Sequence, residues 1–414
     1  MSTTLISAAT FTRTSVASYL DKDLIVTQKA ASTVRDGNFF NKGTKTLLLE
    51  ETRTNLALRS ETFDNASWTK TRCSASANST TAPNDAAEAD SIVEDSSSSA
   101  THFVEQNVTI TANATIAFSV MLKLSTRTFA SLVCEDSAAT NGFKAWFNLT
   151  TGAVGTTGTN GSGATFTAAR IQEVGNGFYR CELVGNLASG ITSCDLRIHL
   201  ADSDNSISYN GNGASLIFAW GAQLEDDSAF ASSYIATTSA SVARTVENIK
   251  WTFSSIPQPM TIYVRFVERG TALMTAGTKI LQIGKADDSD PMITIEAAGS
   301  TVYRASHDNN VDSAVTASGT ITTVDYGDMI ELRLVLFSDG AIQLHQSEDG
   351  AAEASTSKTA AHTLAAAWGD TLLWLNSVGT TGEGFCAFHA VKICPGEQTL
   401  AFMRDYNRNI LLET

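Results

Sequence analysis

The stretch TIAFSVMLKL, Thr115 to Leu124, alternates Ile116, Phe118, Val120, Leu122 and Leu124 against Ala117, Ser119, Met121 and Lys123. A helix returns its apolar positions every three or four residues. This string returns them every two, the period of a strand with one buried face. The period recurs downstream. In FKAWFNLTTGAVG, Ala145, Phe147 and Leu149 oppose Lys144, Trp146 and Asn148, with a turn at Thr151-Gly152. In GFYRCELVG, Tyr179, Cys181 and Leu183 oppose Phe178, Arg180 and Glu182, and in CDLRIHL, Leu196, Ile198 and Leu200 oppose Arg197 and His199. SLIFAWGAQLE sets Leu216, Phe218, Trp220, Ala222 and Leu224 against Gly221, Gln223 and Glu225. Turn clusters TNGSGA, VGNG, SDNS and NGNG separate these strings. Antiparallel sheets that each bury one face are the reading, and a jelly-roll sandwich is their natural closure.

The whole chain, 414 residues, is too long for one core. Three segments are expected. Residues 1–53 read as an N-terminal arm with short strands, 54–244 as the jelly-roll, and 245–414 as a second antiparallel β-sandwich, entered through the Ser/Thr/Ala-rich ATTSASVARTVEN. In the second domain MTIYVRFVER buries Ile262, Val264 and Phe266, FSDGAIQL is a hairpin turning at Asp339-Gly340, and GEQTLAFMRDYNRNI is a short helix. The fold class is all-β.

Charged residues make up 17% of the chain, below the ~25% of an ordinary domain. The net charge is −15 and there is no dense Lys/Arg run, which argues against a nucleic-acid partner. No apolar run approaches the ~20 residues of a spanning helix, and MSTTLISAATFTR does not read as a secretory signal. The expectation is a protein made in a cytoplasm, without membrane insertion. Its six cysteines, with no CxxC among them, are expected to be reduced.

Several strings resemble those of bacteriophage fibre and spike proteins. FTRTSVASYLDKD, with Phe11, Arg13, Tyr19 and Asp21, looks like their opening motif, and LLLEETRTNLALRSETFDNASW is similar to the segment leading into their sandwich. AWFNLTTGAVG and GNGFYRCEL resemble two internal strands. WGAQLE…FASSYIATT, with Trp220, Gln223, Glu225, Phe230, Ser233, Tyr234 and Ile235, is similar to the closing strand and exit. The matches run in the family's order from Phe11 to Arg244. FHAVKICPGEQTLAFMRDYN resembles the end of a concanavalin A- or laminin G-like sandwich. The resemblance implies a jelly-roll related to carbohydrate-binding modules, in a homotrimer on the virion surface. It also implies contact with other virion proteins through the arm and with host-surface glycan. The chain lacks the long β-helix or coiled coil of a shaft, so a compact spike, head fibre or short tail attachment protein fits. The sparse apolar strings LLLEE and DLIV also point to a trimer that would cover them.

Strand parity places Trp146, Phe178, Arg180, Arg197, His199, Gln223 and Glu225 opposite the apolar rows, as one outward aromatic and polar face if their strands share a sheet. Sugars bind such a mixture: rings stack on their C–H faces, and planar amides, carboxylates and guanidinium groups bond vicinal hydroxyls. On that reading Trp146 is an exposed ring, replaceable without loss of stability. The alternative is a solvated or subunit-packing surface of a structural capsid-decorating protein. An enzymatic alternative is a polysaccharide depolymerase. Glu225 beside Asp226 and Asp227 is no spaced acid/base pair, and no nucleophile or metalloprotease motif occurs, so no enzyme is expected. Asp287, Asp288 and Asp290 in KADDSDPM offer closely spaced oxygen ligands for calcium; no other cofactor is called for.

Overall fold

The computed structural model describes residues 10–37, 46–253, 258–268, 279–285, 291–299, 302–308, 313–320, 328–362, 364, 371–375 and 386–405. Among them every named strand pairing is antiparallel, and the α-helix is the short Leu400–Asp405. The chain is all-β and built from antiparallel sandwiches.

Two compact units divide it. The first sandwich comprises Val16–Lys29 and Arg53–Arg244; the second comprises the described residues of Met1–Ser15, Ala30–Thr52 and Thr245–Thr414. Residues 1–53, expected as an arm, are thus shared out. Thr10–Thr12 pairs with Asn248–Phe253 and Thr46–Leu49 with Cys386–Pro395, both in the second unit, whereas the hairpin Ala17–Leu20/Val26–Lys29 belongs to the first. The physical reason lies in the apolar strings. Leu47, Leu48 and Leu49 are buried in the second unit, and Val26 is buried with Phe178 and Met121 in the first. Strings covered within the chain need no symmetric neighbour to cover them, which removes that motive for a trimer.

The first sandwich has two six-stranded sheets. The front sheet runs Ala153–Asn160, Gly142–Asn148, Phe129–Glu135, Ser193–Ala201, Phe103–Thr109, Thr69–Thr71. The back sheet runs Thr165–Val174, Phe178–Asn186, Ile116–Leu124, Leu216–Asp226, Ala89–Glu94, Cys73–Thr80. Ile116, Phe118, Val120 and Leu122 meet Leu132, Phe143, Phe147, Leu183 and Ile198 in the core between them. Parity departs from expectation on one strand. Ile217, Ala219, Ala222 and Leu224 face the core, while Trp220 and Phe218 lie on the opposite side. A bulge is the cause. Ser119 pairs with Gln223 but Met121 pairs with Trp220, so the strand carries one extra residue at that point. Gly221 takes it up with φ of 68°, a conformation that costs glycine nothing.

Among the described residues the second sandwich has two seven-stranded sheets. Ile262, Val264 and Phe266 form its core with Trp251, Ile283, Ile295, Leu332, Leu334 and Val391. The hairpin between Met329–Leu336 and Ile342–Glu348 turns at Gly340, whose N–H donates to Phe337 O at 3.0 Å. A charged cluster sits inside this unit: the side chains of Arg13, Arg35, Glu50 and Glu247 are all 0% exposed. Arg35 Nε donates to Glu247 Oε1 at 2.8 Å, Arg35 Nη1 lies 2.8 Å from Glu50 Oε2, Glu50 N donates to Glu247 Oε2 at 3.1 Å, and Arg13 contacts Glu247 as well. Two cations balance two carboxylates, the condition under which such groups tolerate burial.

Candidate functional site

The seven outward residues do not share one face. Trp146, Arg197 and His199 stand on the front sheet, and Phe178, Arg180, Gln223 and Glu225 on the back sheet. All four on the back sheet are buried. The segment 228–237 lies over them as a strap. Ser232 N donates to Glu225 Oε2 at 2.7 Å, Ile235 N to Gln223 Oε1 at 2.6 Å, and Ala231 N to Glu182 Oε1 at 3.1 Å. Arg244 Nη1 ties the strap from outside, donating to Ser232 Oγ at 3.0 Å and Ser233 Oγ at 2.9 Å. Tyr234 packs on Trp220 with ring centroids 4.8 Å apart, and its hydroxyl lies 2.7 Å from Ser60 Oγ. Phe178 is covered by Val26 of the hairpin and by Ala82 and Val174. Burial raises the pKa of Glu225, opposed by its Ser232 hydrogen bonds and by Arg53 and Arg244. Glu225 is an anchor of the strap, and WGAQLE…FASSYIATT closes a domain.

The front sheet is different. Strand register lines up Trp146, Ser131, His199 and Phe103 as one row, and Lys144, Val133, Arg197 and Glu105 as the next. Phe103 was not among the residues singled out, although the alternation in HFVEQNVTI places it on this side. Its ring lies 4.6 Å from that of His199, with the Arg197 guanidinium 4.9 Å above it, and Lys144 Nζ lies 5.6 Å from the Trp146 ring. Trp146 is 2% exposed and His199 3%, so neither is the open ring that parity suggested. Ser131, a small residue, stands between them in the row.

The charged row stays partly open, with side-chain exposure of 20% for Arg197 and 25% for Glu105. Arg197 Nε donates to Glu105 Oε2 at 2.7 Å and the same guanidinium contacts Glu135. Asn160 Nδ2 donates to Glu135 Oε2 at 3.2 Å, Lys144 Nζ to Asn160 Oδ1 at 3.0 Å, and Asn107 Nδ2 to Asp195 Oδ1 at 2.6 Å. The face thus carries linked guanidinium, carboxylate, amide and ammonium groups. Burial, then Arg197, Lys144 and His102, lower the His199 pKa to about 3, so its ring is neutral at ordinary pH. Trp146 Nε1 and His199 Nδ1 are buried without a hydrogen-bond partner. Trp220 Nε1 is in the same condition, but under the strap. Trp146 also faces a bulge. Register passes from Ala145↔Thr157 to Phe147↔Val154, so Gly155 and Thr156 together oppose it.

No acid/base pair of the glycosidase kind stands on this face: Glu105, Glu135 and Asp195 all approach Arg197, and none is the lone buried carboxyl a general acid requires. The calcium candidates Asp287, Asp288 and Asp290 lie outside the described residues. Among the described residues no group of three or more His, Cys, Asp or Glu is arranged to hold a metal ion. Cys73, Cys134, Cys181 and Cys194 are free thiols, and burial pushes those of Cys134 and Cys181 well up.

No protein-family model matches the chain, and no curated protein matches it. Solved structures resemble it loosely. Domains LG4-5 of the mouse laminin alpha1 chain give a TM-score of 0.24 at 11% identity, covering 72% of this chain and 86% of that one. The LG1-3 region of the laminin alpha2 chain gives 0.25 at 10% identity, covering 70% of this chain and 64% of that one. The tandem CBM22-1-CBM22-2 domain of Paenibacillus barcinonensis Xyn10C gives 0.26 at 10% identity, covering 84% and 98%. At such scores nothing about individual residues or activity carries across.

Proposed function

We propose that this protein is a bacteriophage virion-surface protein whose first sandwich binds host-surface glycan on the outer face of the front sheet, without cleaving it. The ordered resemblance from Phe11 to Arg244 supports the virion assignment. One observation carries the binding site. Of the two outer faces of this sandwich, the back one is sealed by the strap and the hairpin. The front one keeps a partly open charged row beside Trp146 and His199, where Trp146 Nε1 and His199 Nδ1 lack partners. Buried polar atoms without partners are uncommon, and they mark this patch off from the ordinary packed surface. Planar groups on Arg197, Glu105 and Asn160 suit vicinal hydroxyls.

The depth of Trp146 favours a second reading, a packing surface in a capsid-decorating protein. A glycan array with a parallel assay for released reducing ends separates the readings. Saturable binding to a subset of glycans is expected, with no release. Lys144→Ala should weaken it about tenfold, the ordinary effect of losing one important contact. An array without binding supports the decorating protein, and released reducing ends would make it a depolymerase.

A further inference from the structure

We infer that the front face is built for an acidic sugar, and that the carboxylate of Asp204 occupies the ligand's carboxylate position in the free protein. This rests on the glycan-binding reading above and names its ligand class. The bulge opposite Trp146 takes Thr156 out of the strand ladder. Both of its donors turn to one carboxylate: Thr156 N donates to Asp204 Oδ1 at 2.8 Å and Thr156 Oγ1 to Asp204 Oδ2 at 2.8 Å. Such a paired, charge-assisted arrangement is a carboxylate receptor in geometry.

Gly155 shapes it. A Cβ at that position would stand 2.3 Å from Asp204 Oδ1 and 2.9 Å from Asp204 Cγ. Its φ lies outside the left-handed region, so the backbone does not demand glycine there; the space for the carboxylate does. Lys144 is a cation of the same face. It lies on the same side of the sheet near the Trp146 ring, donates to Asn160, and forms no ion pair among the described residues. The lowered pKa of His199, due to burial and then to Arg197 and Lys144, is in keeping with a positive local field.

Asp204 itself is exposed, on the loop that follows the strand Ser193–Ala201, and no ion pair among the described residues holds it. An incoming uronic- or sialic-type carboxylate exchanges one carboxylate for another on Thr156, with its ring directed toward the face that carries Lys144 and Trp146. The Thr156 donors stay satisfied throughout, so displacement leaves no orphaned backbone group.

The test uses the full chain with two acidic probes, tetragalacturonate and sialyllactose, and their neutral counterparts, the methyl ester and lactose, followed by calorimetry. Asp204→Ala should bind at least one acid ten or more times tighter than wild type and leave the neutral partner unchanged. Adding Gly155→Ala, whose methyl fills the vacated position, should abolish the gain, and adding Lys144→Ala should reduce it. Circular dichroism checks that each variant is folded, and Thr156→Val on the Asp204→Ala background repeats the loss by removing the hydroxyl donor alone. Equal gains for acid and neutral probes, no gain for either acid, or a gain that survives Gly155→Ala would overturn the inference. Neutral glycan binding on the array would still leave the proposed function standing. Absence of any glycan binding removes both.

Discussion

His199 sits beside two cations with its ring sealed from water, and protonating it there is costly. Its pKa falls from 6.5 to about 3, through burial first and then Arg197 and Lys144. The unfolded chain therefore takes up a proton that the folded chain refuses. Stability from this group is complete above pH 6.5 and is lost progressively as pH falls toward 3. The loss should reach roughly 2 kcal/mol between pH 6.5 and 5. Urea unfolding of wild type and His199→Gln at several pH values should show the difference between them shrinking across that window. A constant difference would show that His199 is not held neutral. Trp146 makes a second case at this scale. Period-two alternation put it on the correct side of its strand, but alternation says nothing of what lies beside a ring. At 2% exposure it is a packing residue, so Trp146→Ala should cost about 3 kcal/mol by thermal denaturation rather than the ±0.5 of a surface change.

Two irregular elements decide which face of the first sandwich is open, and neither was legible. The bulge at Gly221 reverses the side on which Trp220 stands, and a single glycine in a strand does not announce which way parity will shift. The strap 228–237 has no period, because its bonds run from backbone N–H groups to the side chains of Glu182, Gln223 and Glu225 rather than along a ladder. Asn55 fastens it at a distance. Its Nδ2 donates to Ala222 O at 3.0 Å and Ile235 O at 2.7 Å, and its Oδ1 accepts from Ala57 N and Leu224 N at 3.0 Å each. Asn55→Ala should destabilise the first sandwich by about 3 kcal/mol, since buried backbone groups lose their partners. Hydrogen exchange should speed up in 228–237 before it does in the core strand Ile116–Leu124. Unchanged protection in the strap would show that Asn55 does not hold it.

Across the whole molecule, the core strands were readable because each carries its own alternation, and the composition shift near ATTSASVARTVEN falls where one unit gives way to the other, at Arg244 and Thr245. The placement of residues 10–52 was not readable, because strand partners such as Lys250 for Thr10 and Phe388 for Leu47 lie far along the chain. Arg13 and Glu247 are 234 residues apart and meet in one buried cluster with Arg35 and Glu50. Glu247→Gln would leave two buried guanidinium groups facing one carboxylate, at a cost of about 3–5 kcal/mol. Calorimetry should then show the second sandwich melting earlier while the first keeps its transition; a common shift in both would show that they unfold as one. The proposed binding face is tested most directly by the indole N–H resonances of 15N-labelled protein during titration with glycans from the array. The account predicts a saturable shift of the Trp146 Nε1–H. Trp68, already bonded to Arg59 O at 3.1 Å, and Trp220, beneath the strap, should hold still. A glycan that moves Trp220 but not Trp146, or an array from which no glycan moves Trp146, would contradict it.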